Sequence, residues 1–349
     1  LSNRNIVING AMQISQRSAS VTGITDTGYY TLDRWKSRII TMGTWTQTQS
    51  TDVPTGAGFA TSLKMDCTTA DGSPAATDVV QFFYGIEGQD VQQLKYGTPD
   101  AEQLTLSFWV KATKTGLNVV TLYQDDPAKS VSGTYTISTS NTWEYKTLTF
   151  VGNTADVIAN DNTRGLLVIW ELGAGSNRTS GTLKTTWTDF IEANESVGQV
   201  NNADSTSNDW LITGVQLEVG TVATPFEHRS YGQELALCQR YYEKSYDTTV
   251  APATDTVNGT YNFAGSSEGN GNVIVPIIFS VAKRAAPTMK GYRKAGTADS
   301  WNFDRSGSST AGAITFDRIG VNQTRAYIAA GANFVEVYVY GHWVADAEL

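Results

Sequence analysis

Acid–base work on a glycosidic bond needs two carboxyl groups held close together. The sequence offers three neighbouring pairs: Glu87 with Asp90, Asp125 with Asp126, and Asp299 with Asp304. In a chain with 34 acidic residues such pairs arise by chance, and solvated loop charge is the simpler account of each. His228 and His342 are the only histidines. His228 lies between Glu227 and Arg229 in a connector and His342 on a terminal strand, so neither has the Cys or acidic spacing of a zinc site. Cys67 and Cys238 are too few for a disulfide framework and suit two small buried residues. The glycine-rich GAGSN at 173–177 lacks the Lys and Ser/Thr of a phosphate loop. No catalytic residue and no metal ligand is assigned.

Aromatic side chains are the better lead. An exposed Trp or Tyr offers a flat apolar face to a sugar ring, with Asp, Asn or Arg beside it for the hydroxyls. Of nine tryptophans, Trp109, Trp143, Trp170 and Trp210 fall in strand patterns and are expected in the core. Trp45, Trp187 and Trp301 fall in loop-like stretches. The excursion at 292–305 joins Tyr292, Trp301 and Phe303 to Arg293, Asp299, Asp304 and Arg305. Loops on a rigid β scaffold carry recognition, so this is the expected ligand surface, with Trp45 and Trp187 as the alternative. For every loop Trp, plugging a core competes with touching a sugar.

The elements around these residues are strands. LTLSFWVK at 104–111 sets Leu104, Leu106, Phe108 and Val110 on one face and Thr105, Ser107, Trp109 and Lys111 on the other. Further strands are expected at 59–65, 79–87, 117–123, 131–137, 145–151, 165–172 and 210–219. Stretches 43–58 and 292–309 are expected as loops, and 173–208 as a long surface excursion. Many short strands between turns argue a two-sheet sandwich. Ser230 and Gln233 fit a capping box, and Leu235, Cys238 and Tyr242 one helix face. The expected organisation is therefore all-β: a two-sheet jelly-roll sandwich at 1–228, one short connecting helix at 229–245, and a smaller β domain at 246–349. In the latter, Pro276 suggests an edge strand. Phe334, Glu336, Tyr338 and Tyr340 oppose Val335, Val337, Val339 and Trp343, leaving both faces of the last strand apolar.

Composition narrows the partners. Charged residues make up 17% and the net charge is −9, which argues against a nucleic-acid partner and an anionic membrane. No signal peptide is expected at the start, and no apolar run reaches the ~18–20 residues of a membrane span.

Three core strands, TLSFWVKA at 105–112, NTWEYKTLTF at 141–150 and DWLITGVQLEVG at 209–220, resemble those of the galactose-binding-like jelly rolls in family-four and family-nine carbohydrate-binding modules. NRNIVINGAMQ at 3–13, YYTLDRWK at 29–36 and the run GVQLEVGTVATPFEHRSYGQELALCQRYYEK at 214–244 look like a recurrent module of bacteriophage tail-fibre and receptor-binding proteins. RAAPT at 284–288 and YGHWVADAEL at 340–349 resemble the distal domain of those proteins. The resemblance implies a non-enzymatic virion fibre protein, a homotrimer, that attaches to other virion proteins near its N-terminus and meets polysaccharide or lipopolysaccharide on the host surface. It implies no cofactor beyond a structural calcium ion. A purely structural virion role and a capsule depolymerase are the alternatives.

Overall fold

The computed structural model describes residues 4–266, 271–305, 308–329 and 336–349. The chain forms two compact units: Leu1–Ile14, Ser20–Tyr231 and Leu349 in the first, Ser15–Ala19 and Gly232–Glu348 in the second. Both are almost entirely β.

The strands of the first unit are β1 (Ser20–Ile24), β2 (Trp35–Ile40), β3 (Thr44–Ser50), β4 (Ser62–Thr69), β5 (Val79–Glu87), β6 (Leu104–Ala112), β7 (Gly116–Gln124), β8 (Lys129–Ile137), β9 (Glu144–Phe150), β10 (Arg164–Ala174), β11 (Thr188–Asp189) and β12 (Asp209–Val219). They make two antiparallel sheets, in the order β1-β3-β4-β12-β6-β9 and β11-β8-β7-β10-β5-β2. Period-two alternation sets the inner faces. Leu104, Leu106, Phe108 and Val110 from β6 meet Leu166, Val168, Trp170 and Leu172 from β10, all fully buried. Phe82 packs on Trp35 at 5.0 Å and on Trp210 at 5.8 Å, so rings from both sheets close one core. Gly10 anchors the N-terminal segment over β12: a Cβ there would stand 2.1 Å from the Val215 carbonyl oxygen.

The second unit contains β13 (Tyr242–Lys244), β14 (Tyr261–Gly265), β15 (Asn272–Ile278), β16 (Thr288–Tyr292), β17 (Ser300–Arg305), β18 (Ser308–Asp317), β19 (Gln323–Ala329) and β20 (Val337–Asp346). The sheet runs β13-β20-β17-β18-β19-β15, and β14 and β16 also pair with β20. Pro276 does lie on the edge strand, β15, where a missing N–H costs the sheet nothing. Val337, Val339, Trp343 and Ala345 of β20 enter the core, while Tyr338 on the opposite face is 60% exposed. Phe334 and Val335 lie outside the described residues.

Three expectations are corrected. Helix α1 (Ser176–Thr179) is one turn, and α2 covers only Tyr231–Gln239 rather than 229–245. The Tyr241 N–H bonds the Cys238 carbonyl and ends α2. Tyr242–Lys244 then pairs with Val344–Asp346, because aromatic residues beside an open strand gain more from the sheet. Leu235 is half-buried and Cys238 buried, and Tyr242 is not on the helix. Stretch 43–58 contains β3, where Trp45 and Gln47 point inward among Thr and Gln. Stretch 292–309 contains β17 and the start of β18, paired from Ser300↔Ala313 to Arg305↔Ser308. Both carry polar alternation that resembles loop composition.

Candidate functional site

The stretch expected to bind ligand does not present a common face. Trp301 is 0% exposed, and its Nε1 donates to the His342 carbonyl at 2.8 Å. Phe303 packs against the same core. Tyr292 is half-buried 6.3 Å from the Tyr246 ring, the Arg293 Nε donates to Thr297, and Asp299 takes a left-handed turn conformation at φ 56°. Arg305 closes β17. The alternatives also pack on the core, Trp45 wholly inside it and Trp187 partly buried against it. Trp45 is 0% exposed and donates to the Met42 carbonyl at 2.9 Å. Trp187 packs edge-on to Tyr96 at 5.5 Å and donates to the Val151 carbonyl at 2.6 Å. Each of the three indole N–H groups is used up on a backbone oxygen.

The deepest chemistry lies on the outer face of the second sheet of the first unit. A cleft of about 280 Å³ opens between that face and the excursion at 175–196. Alternation places it: on β5, Phe82 and Tyr84 face the core, so Gln81 and Phe83 face out; on β10, Trp170 and Leu172 face the core, so Ile169 and Glu171 face out. β2 adds Arg38, the end of β7 adds Tyr123, and the excursion adds Arg178, Phe190 and Glu195. Tyr123 and Phe190 meet edge-to-face at 5.2 Å.

The polar groups form an ordered set. Arg38 Nη1 donates to Gln81 Oε1 at 3.3 Å, and Gln81 Nε2 donates to Glu171 Oε1 at 2.7 Å. The Ser130 hydroxyl donates to Glu195 Oε1 at 2.9 Å. Arg164 grips Asp125 with two nitrogens at 3.0 and 3.1 Å, and Arg178 pairs with Glu192 at 3.2 Å. Glu171 is 1% and Glu195 3% exposed. Burial pushes both carboxyls up to about 7, against the partial opposition of Arg178. Burial, and then the neighbouring Arg178, lower Arg38.

A pH dependence follows. The free carboxyl titrates near 4.5, whereas the folded state keeps both protons to about 7. Between those values the folded chain binds more protons than the unfolded one, so these groups stabilise fully below 4.5 and their contribution is lost as pH rises through 7. Glu171→Gln, which is neutral throughout, is expected to shrink the fall in melting temperature between about pH 5 and 7.5. An unchanged fall in that variant would show that Glu171 titrates normally.

The expected pairs are not brought to this cleft together. Asp125 is there without Asp126, while Glu87 is fully buried elsewhere. His228 lies exposed beside the Phe59 and Phe226 rings, and His342 is buried under Tyr246 at 3.6 Å. Among the described residues no group of three or more His, Cys, Asp or Glu could hold a metal ion. No described helix is long and apolar enough to cross a membrane. Sequence reasoning missed the cleft, although Glu171 inside the apolar run LLVIWELG was a visible anomaly. It also put Trp143 and Trp109 in the core, but Trp143 precedes β9, half-buried, and its Nε1 donates to Asp52 Oδ1 at 2.9 Å. Trp109 instead lies half-buried on the outer face of the first sheet, 5.3 Å from Tyr145, in a second groove with Phe59 and Phe226.

No protein family and no curated protein matches the chain by sequence. Among solved structures it is similar to a CBM4 structure, with 14% identity and a TM-score of 0.31, over 61% of this chain and 98% of that one. It is similar to the CBM22-1 xylan-binding domain of Xyn10C from Paenibacillus barcinonensis, with 9% identity and a TM-score of 0.29, over 63% and 96%. The enzymatically active domain of bacteriophage CBA120 tailspike protein 4 shares 14% identity at a TM-score of 0.31, over 62% of this chain and 22% of that one.

Proposed function

We propose that the protein is a bacteriophage fibre component that binds a glycan on the host surface without cleaving it. The observation that carries this is the cleft over β2, β5, β7 and β10. Phe83, Tyr123 and Phe190 supply apolar faces there, beside fixed donors and acceptors on Arg38, Gln81 and Glu171. That is the mixture a sugar site needs, on a scaffold too rigid to rearrange. The virion location, the attachment to other virion proteins and the trimer rest on the resemblance of segments 3–13, 29–36 and 214–244. Ile274, Ile278 and Tyr338, at 43%, 69% and 60% exposure on the second unit, supply apolar surface that further copies would cover. Three linked copies raise weak single-site affinity by ~10²–10⁴.

Tyr123→Ala is expected to abolish binding to the glycan-array ligand and to host cells while the protein still melts cooperatively. Undiminished binding would remove the cleft from consideration. A second reading is hydrolysis, favoured by two buried carboxyls near 7, where a general acid operates. Release of reducing ends from host polysaccharide, lost in Glu171→Gln, would establish it.

A further inference from the structure

The floor of the cleft has an acceptor left over. Glu171 sits in mid-strand, 1% exposed, and only its Oε1 is engaged, by Gln81 Nε2. Gln81 cannot turn its amide round, because its own oxygen accepts from Arg38. Glu171 Oε2 is buried without a hydrogen-bond partner. The Ser196 hydroxyl, which has no other partner, stands beside the carboxyl and acts on it as a hydrogen-bond donor. A carboxylate oxygen offers two lone-pair sites, so even a bond from Ser196 leaves room for an outside donor. Buried polar atoms left unsatisfied call for an explanation, and an absent ligand is one.

Charge selects the kind of donor. Arg164 is spent on Asp125, and Arg178 on Glu192. Arg178 also faces Glu171 and Glu195. Three guanidinium groups, Arg38, Arg164 and Arg178, line the cleft with three carboxyls, Asp125, Glu171 and Glu195, and Arg178 is also paired with the half-exposed Glu192 outside the lining, so with all four carboxyls ionised the set carries one negative charge in excess. A neutral hydroxyl would satisfy Oε2 and leave that charge uncompensated. An acidic sugar would add to it. An ammonium satisfies both, through a charge-assisted bond roughly twice as strong as a neutral one.

We infer that the cleft recognises a sugar bearing a free amine, a hexosamine unit that is not N-acylated, with its ammonium donating to Glu171 Oε2. This rests on the glycan-binding reading above and narrows it to one chemical class. Burial keeps Glu171 and Glu195 near 7, so the preference grows as pH rises to where both are ionised, provided the amine stays protonated.

The test is titration calorimetry of the full chain with three probes: the β-1,4-linked glucosamine trisaccharide, its fully N-acetylated counterpart, and cellotriose. At about pH 7, where carboxylate and sugar ammonium coexist, the glucosamine trisaccharide is expected to bind at least ~10-fold tighter than the other two. That margin should narrow at about pH 5.5 and vanish in Glu171→Gln. The inference is overturned, with glycan binding left intact, if the acetylated or neutral probe binds equally well in the unmodified protein. It is also overturned if trilysine competes as effectively as the trisaccharide, which would mean general attraction to an acidic protein. Should Glu171→Gln fail to fold, the probe preference and its pH dependence in the unmodified chain still decide. Absence of binding to these probes and to every glycan of a wide array would overturn the glycan reading as well.

Discussion

Trp301→Ala is expected to cost the second unit about 3–5 kcal/mol, a large part of the ~5–15 kcal/mol that holds a domain folded. The indole is fully buried, and the core is shaped around it. Gly341 passes so close that a Cβ there would lie 2.4 Å from Trp301 Cδ1, and a Cβ on Gly291 would lie 3.3 Å from Nε1. Both strands flanking the ring thus have glycine where it needs room. Truncation leaves a cavity that the paired strands β16, β17 and β20 cannot collapse into, and orphans the His342 carbonyl. Calorimetry should show the transition of this unit lowered by more than ~10 °C, with glycan binding by the first unit unaffected. A loss of binding at unchanged stability would return Trp301 to the role of ligand contact.

The second large effect is expected at Lys283. Its side chain is 0% exposed, with the ammonium held by Glu243, by the Gln239 carbonyl and by the Val281 carbonyl at 2.9 Å. Glu243 is 4% exposed and bonds the Ser280 N–H through its other oxygen. Burial lowers the Lys283 pKa, partly offset by Glu243. Lys283→Met removes one charge and strands the other, which costs about 3–5 kcal/mol. Lys283→Met combined with Glu243→Gln should recover much of that loss, because two neutral groups no longer carry the desolvation penalty. Chemical denaturation of the two variants separates the cases: equal loss in both would mean that packing of the lysine stem, not charge, is what matters.

The architecture of the first unit was legible because its central strands are runs rich in apolar and β-branched residues bounded by turns, buried along nearly their whole length. β5, β6, β10 and β12 fall within one or two residues of the apolar alternation in the sequence. The short strands of polar composition were not. Thr44–Ser50 and Ser300–Arg305 resemble loops locally, and hydrogen bonds to β1 and β4 for the one and to β18 and β20 for the other make them strands. The same holds for Tyr242–Lys244, which continues a helical pattern in sequence and is drawn into the sheet by β20.

For the site, composition alone determined the kind of surface: aromatic residues with scattered polar groups, acidic overall, with no catalytic set in local spacing. Which aromatics face solvent was decided by tertiary structure. The period-two rule says that Phe82 and Phe83 face opposite ways, but not which side meets the other sheet. Trp45, Trp187 and Trp301 have loop-like neighbours, yet each is covered by distant chain. Glu171 gains its chemistry from Gln81 in β5, Arg38 in β2 and Arg178 in the excursion, separated from it by up to about 130 residues. A carboxyl's proton affinity depends on what surrounds it in space, and no local window of sequence contains that.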